Sequence, residues 1–191
     1  MGRISKYVYL LSLGLAFFCS GCKEPDEERF TPIKQALLTF EDSASRIRCV
    51  AGSAASGSYY AHTDTKTSFG PAFVFQLPDS VVHKSIRVCI EADIRKEKEG
   101  TGQTMAVLLK SGNQTLVSYL LDMNVAATEE KTWVHIIDST EIPVWVNTTP
   151  GSVLEVYGYN TSPRSYMDYD NLKVTCKTVD YISKKQEHVT D

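Results

Sequence analysis

Apolar and polar residues alternate with a period of two in short runs broken by Gly, Pro, Asn, Asp and Ser, the pattern of strands with one buried and one wet face. The clearest run is 85–96, where Ile86, Val88, Ile90, Ala92 and Ile94 fall on one side and Arg87, Cys89, Glu91, Asp93 and Arg95 on the other. Further strands are predicted over 36–41, 58–62, 72–77, 104–110, 115–122, 132–138, 153–160 and 166–178. Ser111-Gly112-Asn113 is a tight-turn sequence and should join two of these as a hairpin. About nine strands and no convincing amphipathic helix predict an all-β fold, an antiparallel two-sheet sandwich of the jelly-roll kind.

The N-terminus follows another rule. Arg3 and Lys6 precede twelve apolar residues, 7–18, and then the small residues Ser20-Gly21. Twelve are too few to span a bilayer as a helix, so a cleaved signal is expected. Ser20-Gly21-Cys22 resembles the lipobox of bacterial lipoproteins, which implies that Cys22 is acylated and becomes the mature N-terminus. Cys19 departs from that pattern, where an aliphatic residue is usual, and an ordinary secretory signal is the other reading. The segment 23–29 is charged throughout, apart from Pro25, and reads as a tether. Its acidic residues also resemble the surface-export signal of one group of Gram-negative anaerobes; a plain solvated linker is equally compatible with them. The expected divisions are a signal peptide (1–21), a tether (22–29), one sandwich domain (30–178) and a polar tail (179–191).

Charge narrows the partners. The chain has 20 Lys plus Arg against 23 Asp plus Glu, and removal of Arg3 and Lys6 with the signal leaves a net charge of −5. With no basic cluster, no Gly-rich phosphate loop and no zinc-type Cys/His spacing, nucleic acid is not an expected partner.

Thr39-Phe40-Glu41 opens the domain, Trp133 stands in a late strand, Pro150-Gly151 precedes Leu154-Glu155-Val156-Tyr157, and Met167-Asp168-Tyr169-Asp170-Asn171-Leu172-Lys173-Val174 closes it. This order resembles the galactose-binding-like β-sandwich superfamily and its carbohydrate-binding modules. The resemblance implies a structural calcium held by Glu41 and Asp170, with Asp42 and Asp168 as nearby oxygen donors. It also implies carbohydrate as the ligand, gripped by aromatic rings stacked on sugar C–H faces and by polar groups on the hydroxyls. Alternation through 153–160 places Leu154, Val156 and Gly158 inward and Glu155, Tyr157 and Tyr159 outward, a candidate platform. Arg87 and Glu91, with Asp93 and Arg95, could supply polar contacts if their strand shares that sheet. Tyr59, Tyr60, Trp145 and Tyr166 are candidates for an end-on site instead, and Trp133 is expected in packing.

Catalysis finds less support. His62, His83, His135 and His188 are scattered, and no Gly-x-Ser-x-Gly or His-Glu-x-x-His run is present. With Cys22 acylated, Cys49, Cys89 and Cys176 remain, and a Cys49–Cys176 bond is one expectation, buried thiols the other. Asp42-Ser43-Ala44, Asp79-Ser80-Val81 and Asp138-Ser139-Thr140 resemble the O-glycosylation acceptor of the same anaerobes. The sequence therefore predicts an outer-membrane lipoprotein, held by a lipid and with surface exposure left open, whose sandwich binds a glycan without turnover. Docking onto another protein of an envelope or glycan-uptake complex is the alternative, and a small hydrolase the third reading.

Overall fold

The computed structural model describes residues 27–42, 48–97, 102–123, 131–161 and 165–182. The predicted signal and Cys22 lie outside them, as do Ser43, Ala44 and His188. The chain divides into two compact units, Arg29–Asp180 and the terminal segments Met1–Glu28 with Tyr181–Asp191. Of the terminal unit only residues 27–28 and 181–182, the outermost residues of two strands, are described. Among the described residues no helix is long and apolar enough to cross a membrane.

The strands are β1 (Glu27–Leu38), β2 (Cys49–Ala51), β3 (Tyr59–Thr63), β4 (Phe69–Gln76), β5 (Ser85–Lys96), β6 (Gln103–Ser111), β7 (Gln114–Asp122), β8 (Val134–Ile142), β9 (Val153–Asn160) and β10 (Met167–Ile182), with a 3₁₀ turn at Asp79–Val81. One sheet runs β2-β3-β10-β5-β8, with β1 also paired to β10; the other runs β4-β9-β6-β7. The chain changes sheet at nearly every connection after β3, with β6–β7 a hairpin, so the predicted two-sheet antiparallel sandwich is what forms.

Alternation explains the core. On β5 the apolar series from Ile86 to Ile94 is fully buried, each Ile or Val contributing about 1.5–3 kcal/mol. It meets Leu172, Val174 and Cys176 of β10, Met105, Val107 and Leu109 of β6, and Leu154 and Val156 of β9 in one cluster. The crossings define two ends. At one, Val144 N donates to Ser85 Oγ (3.1 Å), Leu77 N to the Ser152 carbonyl (2.8 Å), and the Ser111 and Thr149 hydroxyls meet at 2.7 Å. At the other, Asn160 donates through N to Ser68 (2.9 Å) and through Nδ2 to Ser165 (2.9 Å), and Gln103 Nε2 to Tyr166 (2.6 Å). Phe30 lies toward the first end, under the cations of Arg87 (5.0 Å) and Lys177 (4.7 Å), so the chain enters the sandwich there.

Tyr169 joins the sheets. It leaves β10 fully buried, meets Phe40 edge-on at 5.6 Å, and donates its hydroxyl to the Pro71 carbonyl of β4 at 2.8 Å. Gly70 and Gly158 make room for it: a Cβ on either would run into the Tyr169 ring. The Gly70–Pro71 step is also where β4 carries one extra residue against β9, since Phe69 pairs with Tyr159 and Ala72 with Tyr157.

Several expectations need correction. β1 spans 27–38 rather than 36–41, because its partner is β10 and only Ile33, Ala36 and Leu38 pack against the core, so the strand does not alternate. β2 was not predicted, being three residues long. β10 runs past 178 to Ile182 because Val179 is still buried. Cys49 and Cys176 do not form a disulfide with each other. Cys49 pairs with Ala61, itself opposite Tyr169, and Cys176 lies seven residues farther along β10, about 23 Å away and out of bonding range.

Gly158→Ala is expected to overpack the Tyr169 site and cost about 1–3 kcal/mol in denaturant unfolding. Tyr169→Phe, which removes only the bond to Pro71, should cost about 1 kcal/mol. Unchanged midpoints for both would contradict this role.

Candidate functional site

The outer face of the four-stranded sheet is a grid read from its register. Its rows are Phe69–Tyr159–Thr104–Asp122, Ala72–Tyr157–Ala106–Leu120 and Val74–Glu155–Leu108–Ser118, each running β4-β9-β6-β7. Glu155, Tyr157 and Tyr159 do share this face. Phe69 joins them: its ring stacks on Tyr159 at 4.9 Å and 19° and meets Tyr157 at 5.9 Å and 65°. The bulge at Gly70–Pro71 lets Phe69 keep this side although the strand before Ala72 is out of step. Phe69 is 48% exposed, and a shallow open groove of about 230 Å³ runs beside it, lined by Arg48, Phe69, Gly70, Ala72, Glu155 and Tyr157.

Polar groups rim the groove. Lys110 Nζ donates to Glu155 Oε2 at 2.6 Å, and Arg48 is exposed with φ 71°. Burial pushes the Tyr157 phenol above its ordinary value, with the Lys110 charge opposing, so it stays a neutral hydrogen-bonding group. Phe69 escaped the sequence reading because it sits in an apparent loop ahead of 72–77. Its only signal was an aromatic residue just before Gly70-Pro71.

Arg87 and Glu91 do not belong to this face. They lie on β5 in the other sheet, where Arg87 Nη2 bonds Glu141 Oε2 (2.9 Å) and Lys173 Nζ bonds Glu91 Oε1 (2.7 Å). Asp93 takes His135 and Asn171, and Arg95 takes Asp168, so ion pairs and hydrogen bonds run strand to strand along that surface.

Of the end-on candidates only Tyr60 and Tyr166 come near one another. Trp145 stands at the entry end. Tyr59 packs on the core. Tyr60 and Tyr166 lie toward the far end, where the Arg95 guanidinium sits 4.9 Å from the Tyr60 ring and 4.6 Å from Trp133. Trp133 Nε1 also donates to the Ser53 carbonyl (3.0 Å), so this cluster spends its ring faces internally. Tyr166 stacks on His62 at 5.9 Å, and His62 Nδ1 meets Asp168 Oδ1 at 2.6 Å while Nε2 faces Asp64 at 3.6 Å. Both ring nitrogens thus face carboxylates.

Glu41 and Asp170 converge on the turn before β3. Glu41 Oε1 accepts Ser58 N and Tyr59 N, each at 2.8 Å, and Asp170 Oδ2 accepts Ser56 N at 2.9 Å. Gly57 has φ +68°, and a Cβ there would meet the Glu41 carboxylate. Burial raises the Asp170 pKa above the usual carboxylate value, the Ser56 and Asn171 amides oppose this, and the Asp93 and Glu41 charges add to it. Cys49 is pushed up to about 11 by burial and by Asp170, Asp42 and Glu41. The oxygen chemistry suits calcium, but among the described residues no three acidic, His or Cys side chains form a metal-holding group. Asp168 is turned to His62 and Arg95 instead.

No protein-family model and no curated protein matches the chain. Solved structures of similar shape include a CBM35 module from Cellvibrio japonicus (15% identity, 78% of this chain and 99% of that one, TM-score 0.42). Others are the CBM22-1 xylan-binding domain from Paenibacillus barcinonensis (15%, 82% and 90%, 0.38) and a cyclase from Fischerella sp. TAU (13%, 85% and 80%, 0.38). At such identities and TM-scores these are likenesses of fold alone.

The Asp168 hydrogen bond holds the His62 pKa above 6.5, with burial opposing. The stability this contributes is complete below pH 6.5 and fades as pH rises through the raised folded value. An NMR titration should give that raised value in the wild type and a lower one in Asp168→Asn; equal values would contradict the bond's role.

Proposed function

We propose that this chain is a lipid-anchored outer-membrane protein whose sandwich binds a glycan, without chemical turnover, on the outer face of the four-stranded sheet. The observation that carries the ligand is the contiguous Phe69–Tyr159–Tyr157 aromatic surface beside an open groove. Sugar C–H faces stack on such rings, and the Lys110–Glu155 pair and Arg48 offer charged groups to the hydroxyls. Two of the structures of similar shape are carbohydrate-binding modules, one of them xylan-binding. The lipid on Cys22 rests on the lipobox-like sequence alone, and export to the cell surface on the acidic tether.

The test is a glycan array with the mature chain. Binding to one glycan class is expected, with Phe69→Ala and Tyr157→Ala each weakening it about tenfold, ~1.4 kcal/mol, while Tyr60→Ala on the other sheet leaves it intact. No binding by folded protein, or equal loss in all three variants, would overturn the assignment.

The protein-docking alternative has one observation in its favour. Val74 and Leu120, 60% and 54% exposed, extend the same face with apolar surface that sugars do not need. Co-purification of an envelope protein, lost in Leu120→Glu, would select it.

A calcium ion on Glu41 and Asp170 belongs to the proposal as a structural element, supported by the mutual repulsion of these acids. It would tie β10 to the turn before β3. Calcium should raise the melting temperature above that in chelator; identical melting in calcium and in chelator would contradict the site.

A further inference from the structure

Trp145 is the most exposed large apolar residue of the described surface, at 77%, and its neighbour Val144 is 52% exposed. They occupy the middle of a tight turn between β8 and β9 in which Val146 N donates to the Pro143 carbonyl at 3.0 Å. The turn is braced from several sides: Ile142 and Val146 are buried, Val144 N bonds Ser85 Oγ, Thr148 N bonds the Val146 carbonyl (2.7 Å), and His83 N bonds Thr148 Oγ1 (3.2 Å). The indole is therefore presented outward by a fixed frame. None of the ring-to-ring or cation-to-ring contacts that hold Trp133 involves it.

Its place in the fold says what it meets. Phe30, where the chain enters the sandwich, packs against Arg87; Arg87 bonds Glu141; and Trp145 follows four residues after Glu141. Cys22 lies eight residues before Phe30, so a lipid on Cys22 keeps this end within about 28 Å of the bilayer. Asp79 and Asp180 are exposed here along with Lys84 and His83, so the field is mixed and apolar insertion, not charge, is the available contact. An indole suits the headgroup region, with its apolar body toward the acyl chains and its N–H toward water.

We infer that the Val144–Trp145 turn is a second membrane contact, inserting into the headgroup layer and orienting the sandwich on its lipid. This rests on acylation of Cys22. Trp133 lies toward the opposite end of β5 beside Arg95, eight residues or about 26 Å along the strand from Arg87, and so serves as an internal reference.

The test uses the full lipidated chain in phosphatidylethanolamine–phosphatidylglycerol vesicles, with and without brominated lipid. The chain has two tryptophans, so subtracting the emission of Trp145→Phe isolates Trp145 without touching Trp133. Trp145 emission should shift to the blue and be lost to bromine, while Trp133 emission in the variant should change little. Mass spectrometry of the N-terminal peptide separates the two possible failures. A chain without lipid on Cys22 removes the anchor and this inference together. A lipidated chain whose Trp145 stays red-emitting and unquenched overturns the inference and leaves the anchor standing.

Discussion

The contact between the Tyr169 ring and the two glycines beneath it, Gly70 and Gly158, is the constraint on which the arrangement turns. A sandwich needs its sheets at a fixed spacing, and here a large ring from β10 reaches the backbones of β4 and β9 directly, with its hydroxyl satisfied by Pro71. Burial raises the phenol's pKa, so it stays a neutral donor in that bond. The same glycines thin the sheet where Phe69, Tyr157 and Tyr159 gather on its outer side. Core packing and the aromatic surface are thus two faces of one stretch of β4 and β9, and the bulge that brings Phe69 next to Tyr159 lies within it.

The two outer faces differ in kind. On the six-stranded sheet, Arg87, Glu91, Asp93 and Arg95 each find an oppositely charged or hydrogen-bonding partner on a neighbouring strand. The part-exposed pairs among these contribute little to stability, about 0–1 kcal/mol each, whereas the Asp168 carboxylate under Arg95 is buried and depends on its partners. The four-stranded sheet leaves aromatic and aliphatic groups open to solvent. The groove and the stacked rings lie toward the end away from Phe30, so on the proposed anchor they would sit on the half of the domain farther from the bilayer.

Much of this was legible in the sequence. Period-two alternation identified β5 and β9 and told inward from outward on both, which is why Tyr157, Tyr159 and Glu155 could be named together. Alternation assigns a face but not a sheet, and so Arg87 and Glu91 were grouped with a surface from which the whole core separates them. Phe69 was missed because a bulge breaks the period just where it matters. β1 was misplaced because a strand at the side of β10, with Pro32 and few buried residues, does not carry the alternating signature. The Cys49–Cys176 expectation failed because the two residues, although both face inward, lie at different heights of the six-stranded sheet, Cys49 on β2 level with Tyr169 and Cys176 seven residues farther along β10.

Among the described residues two aromatic clusters reach the surface, one on each sheet, and a ligand site can use only one of them as proposed. Aromatic NMR spectra of folded protein, titrated with candidate glycans, would report on both at once. The account predicts that Phe69, Tyr157 and Tyr159 resonances move while Tyr60, Trp133 and Tyr166 stay in place. Movement confined to the second group, or none at saturating glycan, would contradict it.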